Sequence, residues 1–283
     1  MSTKNAIDKV YEPILGDLER VQRNIRKELR TSNSLVNKVI NYIFGKKGKL
    51  LRPAMALLSG RAVAVKSSEQ IDEKLMHLAT AVELVHNASL VHDDILDGAS
   101  IRRNLPTLNN AYNNHIALLA GDALFSQAFY VMAHNMEKRV VEPLTLVAAG
   151  MCHGEIINAI NDEEIVDFST YLTIVKLKTA ALMSVSTQSG AMVTGADDET
   201  VQIMADYGMN MGIAYQMVDD YVDDEIGQVK GYSLEFALDA AERARKVLKP
   251  VGPSIYKDKL LQMLDLVKEM AAQKNMSTTV RMP

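Results

Sequence analysis

The sequence predicts an all-α fold in a single domain, and two features of the chain carry that prediction. Apolar residues recur at intervals of three and four over most of the length, while the apolar–polar alternation of half-buried strands is rare. The 7 prolines and 15 glycines fall mostly between long periodic segments, where helix-breaking residues belong.

This pattern predicts helices near residues 5–29, 33–44, 50–66, 70–97, 107–113, 115–135, 140–159, 167–195, 198–225, 233–248 and 254–273. The segment 70–97 is apolar nearly all round, with Leu75, Met76, Leu78, Ala79, Val82, Leu84, Val85, Ala88, Leu90 and Val91. A helix without a clear polar face is a central one. In the segment 198–225, Gly208 and Gly212 are spaced for close approach of a neighbouring helix. Asn210 and the following aspartates favour packing inside a bundle over a membrane dimer motif. Several of the 16 methionines fall here, as adaptable core filler or the lining of an apolar tunnel.

At 283 residues the chain is long enough for two average domains, yet no linker marks a boundary. Its 48% hydrophobic and 23% charged residues describe an ordinary soluble globular protein. The net charge of −4 provides no basic field for nucleic acid. Cys152 is the only cysteine, so no internal disulfide can form and a cytoplasmic location is expected. MSTKNAIDKVYEP lacks the apolar core of a signal peptide, and no apolar run reads as spanning, so no integral membrane segment is expected.

The chemistry concentrates in LVHDDILDGASIRR, residues 90–103. On a helix Asp93 and Asp97 fall nearly in line with Asp94 beside them, a cluster of three carboxylates set among Leu90, Val91, Ile95 and Leu96. Like charges at this spacing repel, and desolvating them is costly, so the cluster calls for a cation. All-oxygen ligands point to a hard ion, and magnesium, which keeps water or phosphate oxygens in its shell, fits best. The pattern recurs in QMVDDYVDDE as Asp219, Asp220 and Asp223. Two such helices facing each other would clamp a polyphosphate. Cations for such a ligand are at hand in Arg102 and Arg103, in Lys178, and in the run Lys46, Lys47, Lys49 and Arg52. His86 shares the stripe of Asp93 and Asp97, whereas Glu83 and His92 read as supporting residues.

Other chemistries compete poorly. GKKGK at 45–49 lacks the preceding strand and the Ser or Thr of a nucleotide-binding loop. One cysteine cannot make the usual zinc spacings. Paired carboxylates of the glycosidase kind remain formal alternatives, but adjacent arginines favour metal and phosphate.

Together these residues resemble the trans-isoprenyl diphosphate synthases, or polyprenyl synthetases, from about Gly45 to Gly231. The resemblance rests on both aspartate motifs, the arginine pair, GKLLRP at 48–53, and Lys178–Thr179. It implies the isoprenoid synthase fold, a helical bundle around a central cavity. It also implies a magnesium-dependent, head-to-tail condensation of isopentenyl diphosphate with an allylic diphosphate. By resemblance Asp93, Asp97 and Asp219 hold magnesium, with Asp94, Asp220 and Asp223 completing the motifs. Arg102 and Lys178 hold the allylic diphosphate. Lys49, Arg52, His86 and Arg103 hold isopentenyl diphosphate, and Thr179, Tyr215 and Gln216 flank the carbocation. A homodimer is implied as well.

In this family the bulk just below the first motif limits product length. Ala88 and Ser89 are small, and Val85, Leu84 and Ala81 are candidate floor residues, so geranylgeranyl diphosphate or a longer product is expected. The chain departs from the family at Leu50, at Asn104, and after the second motif. There Gln228 and Ser233 replace a lysine and an aspartate, the following segment is shortened, and Lys230 is the candidate substitute. That departure motivates a second expectation, a weakly active or non-catalytic subunit of a heteromer with a homologue. A terpene cyclase is the third.

Overall fold

The computed structural model describes residues 3–45, 48–65, 68–161 and 165–279. The chain opens with α1 (Thr3–Tyr11), a 3₁₀ turn (Glu12–Ile14) and α2 (Leu15–Glu28). One helix is expected over 5–29. Pro13 falls in the 3₁₀ turn and has no amide hydrogen to donate, which accounts for the break.

Next come α3 (Ser34–Ile43), α4 (Leu51–Ala62) and the 28-residue α5 (Glu69–Leu96). A short hairpin of β1 (Ile101–Arg102) and β2 (Leu105–Pro106) leads to α6 (Leu108–Ala111), α7 (Asn114–Asn135) and α8 (Lys138–Ile160). The chain continues through β3 (Val166–Asp167), α9 (Phe168–Val175), a π-helical turn (Lys176–Ala180), α10 (Ala181–Val193) and α11 (Asp198–Val222). A 3₁₀ turn (Glu225–Gln228), β4 (Val229–Lys230), α12 (Leu234–Val247) and α13 (Ile255–Thr279) complete it.

Side-chain caps set many helix starts. Asn33, Ser68, Asn113, Asp167, Asp197 and Ser233 each accept a hydrogen bond from a backbone amide two or three residues on, satisfying donors the helix leaves open. Ser233, where the resemblance expects an aspartate, thus starts α12.

α5 is the central helix, packed against α2, α4, α7 and α10. Leu75, Leu78, Val82, Leu84, Val85 and Ala88 are all buried within it, each larger side chain contributing about 1.5–3 kcal/mol on burial. α11 packs on α10, α12 and α13. The glycine spacing reads as expected: a Cβ at Gly212 would lie 2.5 Å from Ala180 Cα, and one at Gly208 would lie 2.6 Å from the Met183 carbonyl oxygen. α11 therefore lies flush against the π turn and α10.

Two helices are more apolar than the sequence reading, which found no spanning run, suggests. α7 and α8 contain 18-residue windows of mean hydropathy 1.5 and 1.3, so both are long and apolar enough to cross a membrane by length and composition. Part of each helix is buried in the bundle, while Leu118, Leu119 and Tyr130 on α7 and Leu146, Ile156 and Ile160 on α8 are exposed.

Candidate active site

Both aspartate clusters lie at helix C-termini. α5 ends at Leu96 with Asp97 as its cap, and α11 ends at Val222 with Asp223 as its cap. The helix dipole already concentrates negative charge there, so three carboxylates at each end add to a field that only a cation relieves. Burial pushes the Asp93 carboxyl up to about 6, against the pull of Lys178 and helped by Glu155 and Asp97. Asp97 and Asp219 are also raised by burial, opposed by Lys178 and Lys49 respectively.

Hydrogen bonding sorts the six aspartates. The Arg102 Nε donates to Asp94 Oδ1 at 2.6 Å, so the buried Asp94 is engaged in holding the arginine. Asp220 accepts from the Tyr171 hydroxyl at 2.5 Å and from Gln216 Nε2 at 2.6 Å. Gln216 in turn accepts from the Thr179 hydroxyl at 3.1 Å. Asp93, Asp97, Asp219 and Asp223 accept no side-chain hydrogen bond from a described residue.

The two clusters open onto one space. A cavity of about 430 Å³ is walled by Asp97 from the first and by Asp220 and Glu225 near the second, with Tyr171, Lys178, Thr179, Gln216 and Gln228 between them. The π turn carries Lys178 to this wall, where it ion-pairs with Glu155 of α8. Gly154 permits the approach, because a Cβ there would lie 2.8 Å from Leu177 Cβ.

A second basic group sits behind the first cluster. Arg52 Nη1 donates to His86 Nε2 at 3.1 Å. Burial and the charges of Arg52, Arg103 and Arg102 hold the His86 pKa well below its usual value, so the ring is neutral and accepts. Arg103 and Asn104, at φ +53° and +60°, form the two-residue turn of the β1–β2 hairpin. Asn adopts this left-handed region readily, which explains its presence where a glycine is usual. The Arg103 guanidinium rests on Gly48, whose missing Cβ would lie 3.1 Å from it. Lys49 Nζ lies 3.4 Å from the Tyr215 hydroxyl. Lys46 and Lys47 fall outside the described residues.

The profile of the Polyprenyl synthetase family matches residues 33–229. The chain belongs to the polyprenyl synthetase family. A prenyl transferase of Synechocystis is 33% identical over 76% of this chain and 66% of its own length. A decaprenyl-diphosphate synthase of Dictyostelium discoideum is 31% identical over 83% of this chain and 55% of its own. The chain thus spans two thirds or less of the length of these relatives. Among solved structures, a polyprenyl synthase from Caulobacter crescentus complexed with calcium and isoprenyl diphosphate superposes with a TM-score of 0.84 at 21% identity, covering 94% of this chain and 97% of that one. It shares the isoprenoid synthase fold.

Among the described residues no group of three or more Asp, Glu, His or Cys side chains is close enough together to hold a metal ion, so the expected set of Asp93, Asp97 and Asp219 is not gathered at one point in this arrangement.

Product-length positions divide. Ser89 lines a second cavity of about 220 Å³ beneath the first cluster, together with Leu96, Phe125, Met151, Ile156 and Lys178. Ala88, Val85, Leu84 and Ala81 are instead fully buried in the core, and the large side chain on the cavity wall is Phe125 of α7, with Phe129 stacked against it at 6.3 Å between ring centroids.

Several site residues escape sequence reasoning. Glu155, Tyr171 and Phe125 are single residues in helices without a repeating pattern, and Glu225 closes the second acidic run without being singled out within it. The available signal was Glu155, the one carboxylate in the second half of α8. Lys230 is exposed on β4 and is not among the residues lining the cavity, where Gln228 stands.

Proposed function

We propose that this chain condenses isopentenyl diphosphate with an allylic diphosphate, head to tail, to give geranylgeranyl diphosphate or a longer polyprenyl diphosphate. The observation that carries the reading is the sorting of the aspartates. Asp93, Asp97 and Asp219 accept no side-chain hydrogen bond from a described residue, and Asp97 stands with Lys178 on the wall of the cavity of about 430 Å³, while Asp94 and Asp220, the latter also on that wall, hold neighbouring side chains in place.

Asp93, Asp97 and Asp219 would hold magnesium, which supplies positive charge to the departing diphosphate. Lys178 and Arg102 bind the same diphosphate, and their fixed partners Glu155 and Asp94 orient them before substrate arrives. Arg52, Arg103 and Lys49 bind isopentenyl diphosphate. The neutral His86 receives a hydrogen bond from Arg52 and aims the guanidinium without adding charge. Thr179 and Gln216, which share a hydrogen bond on the cavity wall, and Tyr215, whose ring lies under Lys49, would flank the allylic cation. No protein nucleophile is required.

The test is incubation of the purified chain with magnesium, radiolabelled isopentenyl diphosphate and geranyl, farnesyl or geranylgeranyl diphosphate, with product length read by chromatography. Magnesium-dependent elongation is expected. Incorporation only after mixing with a homologous synthase would support the subunit reading, which Gln228 in the cavity wall motivates. Cyclic hydrocarbon formed without isopentenyl diphosphate would indicate a cyclase.

A further inference from the structure

The second aspartate cluster is the more exposed and the more negative of the two ends. Asp219, Asp220, Asp223, Asp224 and Glu225 fall within seven residues, at a helix terminus whose free carbonyls add to the negative field. The first cluster has Lys178 and Arg102 against it. At the second, the contact comes from an unexpected direction, the far end of α13. Lys274 Nζ donates to the carbonyl oxygen of Val222, the last helical residue of α11, at 2.9 Å, and to Asp224 Oδ2 at 2.6 Å. Its side chain is 21% exposed against 79% for Asp224, so the lysine end of this pair is the anchored one.

Asp224 marks a backbone reversal. Its φ of +62° is left-handed, a conformation costly for a non-glycine residue unless neighbours hold it, and it leads directly into the 3₁₀ turn (Glu225–Gln228) that enters β4. β4 pairs with β3 ahead of α9, so the reversal fixes the path of Gln228 and Glu225 along the cavity wall. One ammonium group therefore closes the helix end, compensates a carboxylate and holds the turn.

We propose that Lys274 is a positioning residue for the second carboxylate cluster, coupling the seating of the C-terminal helix to the ability of Asp219 and its neighbours to accept a divalent cation with diphosphate. This inference rests on the proposed function, since it assumes that the cluster binds such a cation. Supporting side chains of this kind typically change metal affinity 10–100-fold when removed.

The experiment measures binding of magnesium with inorganic diphosphate by calorimetry, and amide hydrogen exchange of residues 219–228 without ligand, on the full chain. Lys274→Met keeps the apolar stem and removes the charge, and Lys274→Gln serves if that variant does not fold. Affinity about tenfold weaker, faster exchange at the α11 terminus, an unchanged far-ultraviolet spectrum and recovery in Lys274→Arg are expected. Wild-type affinity in the neutral variant, or weakening that Lys274→Arg does not restore, overturns the proposal. A wild-type chain that binds no magnesium–diphosphate, or binds it equally after Asp93→Ala, overturns the underlying reading instead, and the inference with it.

Discussion

At the scale of single residues, charge state and hydrogen bonding separate groups that look alike in the sequence. Glu83 is an example on the supporting side. Burial pushes its carboxyl up to about 7, against the hydrogen bond from Asn87 and the charges of Arg52 and Arg103. A folded value above the unfolded one means that the native state keeps its proton longer, so stability from this group is full below the unfolded value and is lost as pH rises through about 7. Glu83→Gln is therefore expected to flatten the fall of Tm between acid and alkaline buffers relative to wild type. An unchanged slope in thermal scans contradicts the assignment. Arg102 gives a second residue-scale prediction. Asp94→Asn leaves its guanidinium without a charged partner, and KM for the allylic diphosphate is expected to rise about tenfold, the lower end of what a charge-assisted hydrogen bond supplies.

At the scale of elements, the π turn and its neighbours decide where the site chemistry sits. α11 approaches that turn through Gly212, and a methyl group there meets the Ala180 backbone. Gly212→Ala is expected to cost about 1–3 kcal/mol and to lower kcat by displacing Lys178 and Thr179, checked by denaturant unfolding alongside steady-state kinetics. Full activity at wild-type stability contradicts the close packing. α7 sets the depth of the cavity under the first cluster. Phe129 lies one turn, about 5 Å, beyond Phe125, so Phe125→Ala is expected to lengthen the product by about one isoprene unit. An unchanged product distribution on chromatography places the floor elsewhere. The sequence located α5 and α11 well, because long amphipathic or wholly apolar segments carry many repeats of the helical period. It missed the break at Pro13 and the π turn inside the expected helix 167–195, since one residue of altered hydrogen bonding leaves the period almost intact.

For the whole molecule, the sequence made the fold class and both aspartate clusters legible. Repetition was the reason, as each cluster supported the reading of the other. What stayed illegible depends on residues distant in the chain. The pairing of Lys178 with Glu155 and of Asp220 with Tyr171, and the reach of Lys274 to the end of α11, arise from tertiary packing alone. The division of labour between Asp93 and Asp94, adjacent in sequence, appears only when Arg102 folds back through the hairpin onto one of them. The exposed apolar faces of α7 and α8 also belong to this scale. A homodimer that covers Leu118, Leu119, Leu146 and Ile156 is expected to sediment at twice the 31.2 kDa of the chain. A detergent-dependent monomer contradicts that expectation.

On the proposed reading, the open aspartates hold the cation while their engaged neighbours hold side chains. Elongation rate against magnesium concentration, compared for wild type, Asp93→Ala and Asp94→Asn, tests it most directly. Asp93→Ala is expected to lower the rate about 10²–10³-fold, the usual loss of a principal electrostatic group, with a raised magnesium requirement. Asp94→Asn is expected to keep the wild-type magnesium dependence. Equal magnesium curves for Asp93→Ala and wild type, or a raised requirement in Asp94→Asn alone, would contradict the account.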